Sequence, residues 1–226
     1  MENKITLTTP PYEYKFDEAI KTLRTNLMFS GPNIRSIMFT STKSSEGKSE
    51  IVFSLAMSLA QMGKKVLLLD ADIRRSVLMN RYHVNKQTKG LSEYLTGQAE
   101  EKDIIYETNV DNLFIIFAGA VAPNPSELLE EEQFRNLIEG AKEIFDYVIV
   151  DTPPVGTIID GAIVGKYCDG AALVIESGAI SYHALQKVKS QMERSGARLL
   201  GVVLNKVDVN KGGYYGSYYG SYYGEK

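Results

Sequence analysis

Short runs of apolar residues alternate with helical segments along most of this chain. The runs are apolar over their whole length, which is typical of strands covered on both faces of a parallel sheet. The segments between them carry apolar residues at helical spacing. The predicted strands are 35–40, 65–69, 113–117, 146–150, 171–175 and 199–204, and the predicted helices are 16–29, 48–62, 126–144, 160–167 and 181–195. This order predicts a doubly wound, mostly parallel α/β sheet with helices on both faces.

The composition argues against several other classes of protein. Apolar residues make up 44% of the chain and charged residues 23%, which is typical of a globular protein. A net charge of −3 gives no general attraction to nucleic acid or anionic lipid, so we expect no nucleic-acid partner. One cysteine and two histidines argue against a zinc or iron–sulfur centre. Since no run approaches the roughly 20 apolar residues of a membrane span, we expect a cytoplasmic location.

The first predicted strand runs into a loop that is suited to binding phosphate. This loop, 40–49, ends in Gly47-Lys48-Ser49, where the next helix begins. Backbone N–H groups can converge on phosphate oxygens at a helix start. The lysine then faces the β and γ phosphates, and the serine hydroxyl faces magnesium. The full consensus has glycine where Thr42 stands, and Gly-Lys-Ser also occurs by chance at ordinary helix starts, so the loop alone leaves both interpretations open.

Carboxylates follow two other predicted strands. Asp70 and Asp72 come after strand 65–69, and Asp151 comes after strand 146–150 in a Walker B pattern. Ligands of parallel α/β sheets bind outside the carboxyl ends of the strands, so all three carboxylates can meet the loop around one nucleotide. A Walker B carboxylate holds magnesium directly or through water. Any one of these aspartates alone is more often a helix cap or turn residue, but together with Lys48 they predict a nucleotide site.

These motifs together resemble the bacterial tyrosine kinases (BY-kinases) of capsule and exopolysaccharide synthesis, in their stand-alone form. The similar segments are 41–49, LLLDADIRRS at 67–76, YVIVDTPPV at 147–155 and GVVLNK at 201–206. Helix 16–29 looks like the family's interface helix, in which Lys21 replaces an arginine. One departure is Ser44-Ser45, where the family has Pro-Gly or Gly-Gly. A serine in a left-handed conformation costs about 1–2 kcal/mol, and that cost would weaken nucleotide binding unless the loop avoids the conformation.

The resemblance implies a P-loop NTPase fold, with ATP and Mg²⁺ as cofactors, and a role for each matching residue. The implied catalytic residues are Lys48, Asp70, Asp72 and Asp151, with Asp72 accepting the proton of the tyrosine. The implied magnesium ligands are Ser49, Asp70 and Asp151. The implied ATP contacts are Ser44, Ser45, Glu46, Gly47, Lys48, Ser49, Glu50 and Asn205.

The end of the chain, 210–226, is a Tyr-Tyr-Gly-Ser repeat with a period of four. Its glycines and its lack of apolar periodicity predict a flexible tail that is separate from the kinase domain at 1–209. By resemblance it is the autophosphorylation cluster, whose members are Tyr214, Tyr215, Tyr218, Tyr219, Tyr222 and Tyr223. Taken in isolation, such a repeat is also typical of an aggregation-prone linker.

The resemblance also implies partners. These are an activating membrane protein that brings the kinase to the inner face of the cell membrane, a cognate tyrosine phosphatase, and further copies of the chain in a ring-like homo-oligomer. Glu18, Lys21 and Arg24 share one face of helix 16–29 and are the predicted interface residues, together with the tail. Exposed pairs within one helix are a common alternative explanation of this pattern.

The predicted function is that of a tyrosine kinase that phosphorylates its own tail and regulates capsule or exopolysaccharide synthesis and export. The strongest alternative is a MinD/ParA-type ATPase switch, which shares nearly all of the site and uses water as the acceptor. A slowly hydrolysing nucleotide-binding scaffold is the second. Two further residues have no assigned role in the site. Asp160 is predicted to cap helix 160–167, with an indirect contact to the site as the alternative, and Arg74 contacts either phosphate, a partner or solvent.

Overall fold

A parallel sheet forms the centre of the molecule in the computed structural model, which describes residues 3–9, 11–84, 86, 88–156 and 158–208. Its strands are β1 (Ser36–Ser41), β2 (Val66–Asp70), β3 (Tyr106–Glu107), β4 (Leu113–Ile116), β5 (Tyr147–Asp151), β6 (Gly170–Glu176) and β7 (Leu199–Asn205). They lie in the order β3-β4-β2-β5-β1-β6-β7. Only β3 runs antiparallel to its neighbour among the paired strands of the described residues. The predicted fold class is confirmed.

Helices cover both faces of this sheet. They are α1 (Tyr14–Met28), α2 (Lys48–Gln61), α3 (Leu78–Arg81), α4 (Leu91–Leu95), α5 (Glu101–Ile104), α6 (Pro125–Glu130), α7 (Glu132–Ile144), α8 (Asp160–Gly165) and α9 (Tyr182–Arg194). Consecutive side chains of a strand point to opposite faces. Leu68 therefore packs into the core on the α1–α2 side, while Leu67 and Leu69 pack into the core on the side of α7 and α8. All three leucines are fully buried, as the continuous apolar run predicts.

The single helix predicted for 126–144 is wrong. The chain forms α6 and α7, which are separated at Glu131, where the backbone is extended with φ −62° and ψ 146°. α6 begins at Pro125, one residue before the predicted start, and its N-cap position is Asn124. Proline is well suited to the first helical position, where its missing N–H is not needed.

Four short elements were not predicted: α3, α4, α5 and β3. Each has five residues or fewer, which is too short for hydrophobic periodicity to show. β3 lies at one edge of the sheet and is covered by the N-terminal segment. Ile5 N–H donates to Glu107 O at 3.0 Å, and Glu107 N–H donates to Asn3 O at 2.8 Å. None of the helices in the described part of the chain combines the length and the hydropathy that spanning a bilayer requires.

Candidate active site

The three predicted motifs meet at one edge of the sheet. β1 leads into the P-loop, and its neighbour β5 ends at Asp151. On the other side of β5, β2 ends at Asp70, which lies directly opposite Asp151 in the strand register. Because these strands are parallel, their carboxyl ends all lie on the same edge. The fold therefore places the P-loop, Asp70 and Asp151 side by side, as the sequence predicted.

The backbone of the P-loop adopts left-handed conformations at Ser45 (φ +67°) and Gly47 (φ +84°). The strain predicted at Ser44-Ser45 therefore falls on Ser45 alone, at a cost of about 1–2 kcal/mol. At Gly47 a side chain is excluded as well, since a Cβ atom there would lie 2.2 Å from Asn205 Nδ2. The loop thus depends on glycine at position 47 both for conformation and for close approach.

Glu46 holds the P-loop in shape from the inside. Its carboxylate is almost fully buried and accepts hydrogen bonds from the backbone N–H of Thr42 at 2.8 Å and of Lys43 at 3.0 Å. It also accepts a bond from the hydroxyl of Thr42 and one from the backbone N–H of Glu176 at 3.2 Å. Buried polar groups need such partners, and a carboxylate that accepts several is strongly fixed. Glu46 thus binds the loop's own backbone and Glu176, the last residue of β6, and its predicted contact with ATP stays a prediction.

The end of β7 clamps the other side of the loop. Asn205 Nδ2 donates to Glu46 O at 2.8 Å, and Lys206 Nζ donates to Ser45 O at 2.8 Å. Lys206 also pairs with Glu176 at 2.9 Å. Asn205 lies beside the P-loop, which is compatible with its predicted place near the nucleotide. The contribution of Lys206 was not predicted, since it depends on a contact across 161 residues of sequence.

Lys48 forms a buried ion pair with Asp151. Its Nζ donates to Asp151 Oδ1 and lies 3.2 Å from Ser49 Oγ. The side chain of Lys48 is only 8% exposed and that of Asp151 only 2%, so both charges depend on each other for stabilisation. The predicted phosphate-binding lysine and the predicted Walker B carboxylate are therefore in direct contact.

Asp70 is buried beside a second carboxylate. Burial and the negative charge of Asp151 raise the pKa of Asp70 to about 7. Hydrogen bonds donated by the Ser76 hydroxyl and by the backbone N–H of Asp72 oppose this shift, as does the charge of Lys48. Ser76 belongs to the predicted LLLDADIRRS motif, but nothing in the motif indicated that its hydroxyl would bind Asp70.

Asp72 lies just beyond the end of β2 and is partly open to solvent. Its Oδ1 accepts a hydrogen bond from the backbone N–H of Arg75 at 2.9 Å. Burial raises the pKa of Asp72, and both this hydrogen bond and the charge of Lys48 limit the increase. A carboxylate with a raised pKa is a stronger base, which suits the predicted role of accepting a proton.

The oxygen atoms gathered here fit a magnesium ion. Asp70 and Asp151 are neighbouring carboxylates, and Ser49 brings a hydroxyl close to Lys48 and Asp151. Mg²⁺ prefers oxygen ligands and is usually held by one or two carboxylates together with phosphates and water. A divalent cation would also relieve the repulsion that raises the pKa of Asp70. No group of three or more His, Cys, Asp or Glu with metal-binding geometry occurs among the described residues. The predicted magnesium ligands are two carboxylates and one hydroxyl, so they do not form such a group.

A second polar network fixes the loop that carries Asp72. Arg74 donates to the fully buried Asp160 through Nε at 2.6 Å and through a terminal nitrogen at 3.0 Å. Ser126 Oγ donates to the same carboxylate at 2.7 Å. The prediction that Asp160 caps a helix is wrong, since the N-cap position of α8 is Ile159 and no side chain caps it. Asp160 instead ties the loop after β2 to α6 and α8.

The predicted interface residues lie on α1. Lys21 Nζ donates to Glu18 at 2.6 Å in an exposed pair within the helix. Arg24 points the other way and donates to Ser58 Oγ at 2.9 Å and to Ser58 O at 3.2 Å on α2. An oligomer interface at Glu18, Lys21 and Arg24 stays a prediction. The predicted tail tyrosines, 214–223, lie outside the described residues.

Comparison with known proteins identifies relatives of this arrangement. A family model described as an AAA domain matches residues 34–195. The tyrosine-protein kinase CpsD of Streptococcus agalactiae is 46% identical over 194 residues, which cover 86% of this chain and 85% of that protein. The kinase domain of the Escherichia coli tyrosine kinase ETK superposes with a TM-score of 0.82 at 35% identity, covering 88% of this chain and 78% of that one. The septum site-determining protein MinD of Pyrococcus horikoshii, complexed with Mg-ADP, gives a TM-score of 0.66 at 26% identity, covering 79% and 72%.

Proposed function

From the premise that this chain belongs to the family of bacterial tyrosine-protein kinases, we propose that it transfers the γ-phosphate of ATP to tyrosines of its own C-terminal repeat. The chain is a nucleotide-binding tyrosine kinase with a role in capsule or exopolysaccharide synthesis, like the relatives that it matches over most of its length. What we add is the identity of the acceptor and the role of each residue in the site.

One observation supports the assignment above all others. Lys48, Asp70 and Asp151 come from three separate segments of sequence and are gathered at one edge of the sheet. The P-loop backbone beside them carries its N–H groups at the start of α2, where a helix N-terminus favours phosphate. Phosphoryl transfer needs positioning and positive charge more than covalent chemistry, and this arrangement supplies both.

We propose the following division of work. Lys48 leaves Asp151 for the phosphate oxygens of ATP when the nucleotide binds, while Ser49, Asp70 and Asp151 hold the magnesium ion. That ion, when bound, neutralises phosphate charge. A tyrosine phenol has a pKa of about 10 and arrives protonated. As its oxygen bonds to the γ-phosphorus, the bond to the β–γ bridging oxygen breaks, ADP leaves, and Asp72 accepts the phenol proton.

The partners are proposals that rest on the family resemblance. We propose that a membrane protein activates the kinase and brings it to the inner face of the membrane. We also propose that the chain assembles with copies of itself through α1 and the tail, and that a tyrosine phosphatase reverses the modification. Lys21 is exposed on α1 and Glu18 beside it is half-buried, so both can contribute to such an assembly, whereas Arg24 is already bound to Ser58.

The alternative of a MinD-type ATPase is less well supported. MinD shares the fold, but its TM-score of 0.66 is lower than the 0.82 of the ETK kinase domain. The tyrosine repeat also follows directly on the end of the described chain, in the same molecule as the site. The two functions differ in the acceptor of the phosphate, which is water in one case and a phenol in the other.

Incubation with γ-labelled ATP and Mg²⁺, followed by mass spectrometry of the C-terminal peptide, tests the proposal. The wild-type chain should add phosphate to tyrosines 214–223. Lys48→Met should abolish the transfer, because no cation then replaces the lysine at the phosphates. Asp72→Asn should lower the rate and keep nucleotide binding, since it removes the proton acceptor alone. Release of inorganic phosphate with an unmodified tail would contradict the proposal and favour the ATPase switch.

A further inference from the structure

We propose that a cationic pocket beside the P-loop binds a phosphotyrosine of the C-terminal repeat, so that a tyrosine next to one already modified is phosphorylated faster. This inference rests on the proposed phosphorylation of the repeat. The pocket is separate from the site of phosphate transfer, and binding there sets the order in which the tail tyrosines are phosphorylated.

The pocket lies between the P-loop and α9. It has a volume of about 270 Å³. Thr42 and Lys43 of the P-loop form one wall, and Ala184, Lys187 and Val188 of α9 form the opposite wall. Lys43 and Lys48 belong to the same loop, and Glu46 between them accepts hydrogen bonds from the backbone N–H groups of Thr42 and Lys43. The pocket therefore adjoins the loop that we propose holds the reacting phosphate.

The charges of this pocket select an anion. Among the described residues that line it, Lys43 and Lys187 carry charge and none is a carboxylate. Lys43 Nζ makes one hydrogen bond, to Ala179 O at 3.3 Å, and so keeps donors for a ligand. Lys187 is exposed and has no hydrogen bond or ion pair within the described part of the chain. The N-terminal end of the 13-residue helix α9 adds a partial positive charge nearby.

The apolar part of the pocket selects an aromatic ring. Ile180, Ala184 and Val188 form a non-polar surface between the two lysines. A phosphotyrosine carries both features that this lining recognises, a flat apolar ring and a phosphate of about −1.5 to −2 charge. An unmodified tyrosine offers the ring without the charge, and free phosphate offers the charge without the ring. The pocket therefore fits the product of the kinase better than its substrate.

The spacing of the repeat means that binding of one phosphotyrosine brings its neighbouring tyrosines close to the site of transfer. The tyrosines occur in adjacent pairs with a period of four residues. A residue bound in the pocket has its pair partner about 3.8 Å away along the chain and the next pair no more than about 14 Å away. Once one tyrosine is modified and bound, the others are held near the transfer site. Phosphorylation of the first tyrosine then becomes the slow step.

Synthetic peptides of sequence 210–226 test this inference. One peptide is unmodified and the other carries phosphate on Tyr219 only. The enzyme is the full chain with its six tail tyrosines replaced by phenylalanine, so that its own tail cannot compete. We expect kcat/KM to be about fivefold higher for the primed peptide, which is the factor that one partly exposed charge contact supplies. Equal rates for the two peptides would overturn the inference.

Two variants of α9 make the test specific. Lys187→Gln should remove most of the advantage of the primed peptide and leave the rate on the unmodified peptide within about twofold. Lys189→Gln is the matched control, because Lys189 lies on the same helix, pairs with Glu193 at 3.7 Å and does not line the pocket. An equal loss in both variants would show a general charge effect and would also overturn the inference.

A binding measurement separates this inference from the proposed function. The fluorescence anisotropy of the primed and unmodified peptides, with labelled N-termini, is followed without ATP, with inorganic phosphate as a competitor. Tighter binding of the primed peptide that depends on Lys187 supports the pocket even if the enzyme transfers no phosphate to either peptide. A lack of phosphate transfer would contradict only the proposed function. Binding that inorganic phosphate abolishes at equal concentration would show a plain anion site and overturn the role of the ring.

Discussion

Ser45 holds a strained backbone conformation at the centre of the P-loop, with φ +67°. Its side chain is exposed, and its carbonyl oxygen accepts the bond from Lys206 that a glycine would keep. Ser45→Gly relieves about 1–2 kcal/mol of strain in the folded state, which stabilises the protein. It also gives the unfolded chain more conformational entropy, which costs about 0.5–1 kcal/mol of stability. We expect a net gain of up to about 1 kcal/mol in the free energy of unfolding. Urea denaturation without nucleotide measures this change.

Ser44→Gly is the matched control for that prediction. Ser44 is the neighbouring exposed serine and is not in a left-handed conformation. Its replacement relieves no strain and should lower stability by roughly 0.5–1 kcal/mol. Changes of the same sign in the two variants would contradict the role that we assign to the conformation of Ser45.

The pair of Arg74 and Asp160 should respond unequally to the removal of each partner. Arg74→Ala leaves a fully buried carboxylate whose one remaining side-chain donor among the described residues is the Ser126 hydroxyl, which costs about 3–5 kcal/mol. Asp160→Ala leaves an arginine whose side chain is 35% exposed and can turn to water, so the loss should be smaller. Thermal or urea unfolding of both single variants and the double variant tests this. An Asp160→Ala loss larger than that of Arg74→Ala would contradict it.

For single residues, the sequence predicted which charged side chains form the site but not most of the contacts that hold them in place. Lys48, Asp70 and Asp151 follow strands and stand in recognisable motifs, so local pattern was sufficient. Arg74 and Asp160 are 86 residues apart, and their contact depends on how α8 packs beside the loop after β2. A helix-capping role for Asp160 was a reasonable local interpretation, but tertiary packing gave it a different partner.

Among the secondary-structure elements, the register of β2 and β5 has a measurable consequence. It places Asp70 opposite Asp151, and the pKa of Asp70 is raised to about 7 by burial and by that neighbour. The folded protein then binds a proton more tightly than the unfolded chain. The free energy of unfolding should therefore fall as pH rises from about 4 to about 7, by a few kcal/mol. Urea unfolding in EDTA at a series of pH values measures this slope.

Asp70→Asn should flatten this pH dependence, because the amide does not titrate. The variant should be close to the wild-type stability near pH 4 and more stable than the wild type near pH 8. Asp111→Asn is the control, since Asp111 is exposed and distant in sequence from both strand ends. A slope that persists unchanged in Asp70→Asn would show that another group is responsible.

The limits of prediction for whole elements have a physical cause. α2 ends at Gln61, one residue before the predicted end, and Gly63 just beyond it adopts φ +79°, a conformation that glycine takes freely. The break between α6 and α7 has no such signal, since Glu131 is neither glycine nor proline. After the break α7 packs on β5, whereas α6 packs against α8 and α4, and helical periodicity continues in the sequence across the break. Packing overrides local preference in that case.

For the molecule as a whole, the sequence predicted the layers well because parallel strands have a clear pattern. Strands buried on both faces must be apolar throughout, and each must be followed by a helix that covers one face. The polar residues that end such strands then lie together, so fold and site were predicted by the same argument. Assembly between copies does not follow from this pattern, because it depends on surfaces that single-chain burial does not constrain.

The proposed oligomer gives the last prediction. Six phosphorylated tyrosines would add about −9 to −12 charge to a chain whose net charge is −3. Copies that carry such tails should repel one another, so phosphorylation should disperse the assembly. Size-exclusion chromatography before and after Mg-ATP treatment should show a shift to smaller apparent mass in the wild type and no shift in Lys48→Met. Tails that mass spectrometry shows to be modified, with an unchanged elution volume, would contradict it.

Substitutions on α1 test where the copies meet. Lys21 is exposed, so Lys21→Ala should lower the apparent mass before ATP treatment while the melting temperature changes little. Arg24 binds Ser58 within the chain, so Arg24→Ala should lower the melting temperature as well. Apparent mass and melting temperature together therefore distinguish Lys21, which would join two copies, from Arg24, which holds α1 on α2 within one chain. If Lys21→Ala leaves the assembly intact, the copies meet through another surface and the role predicted for this helix is wrong.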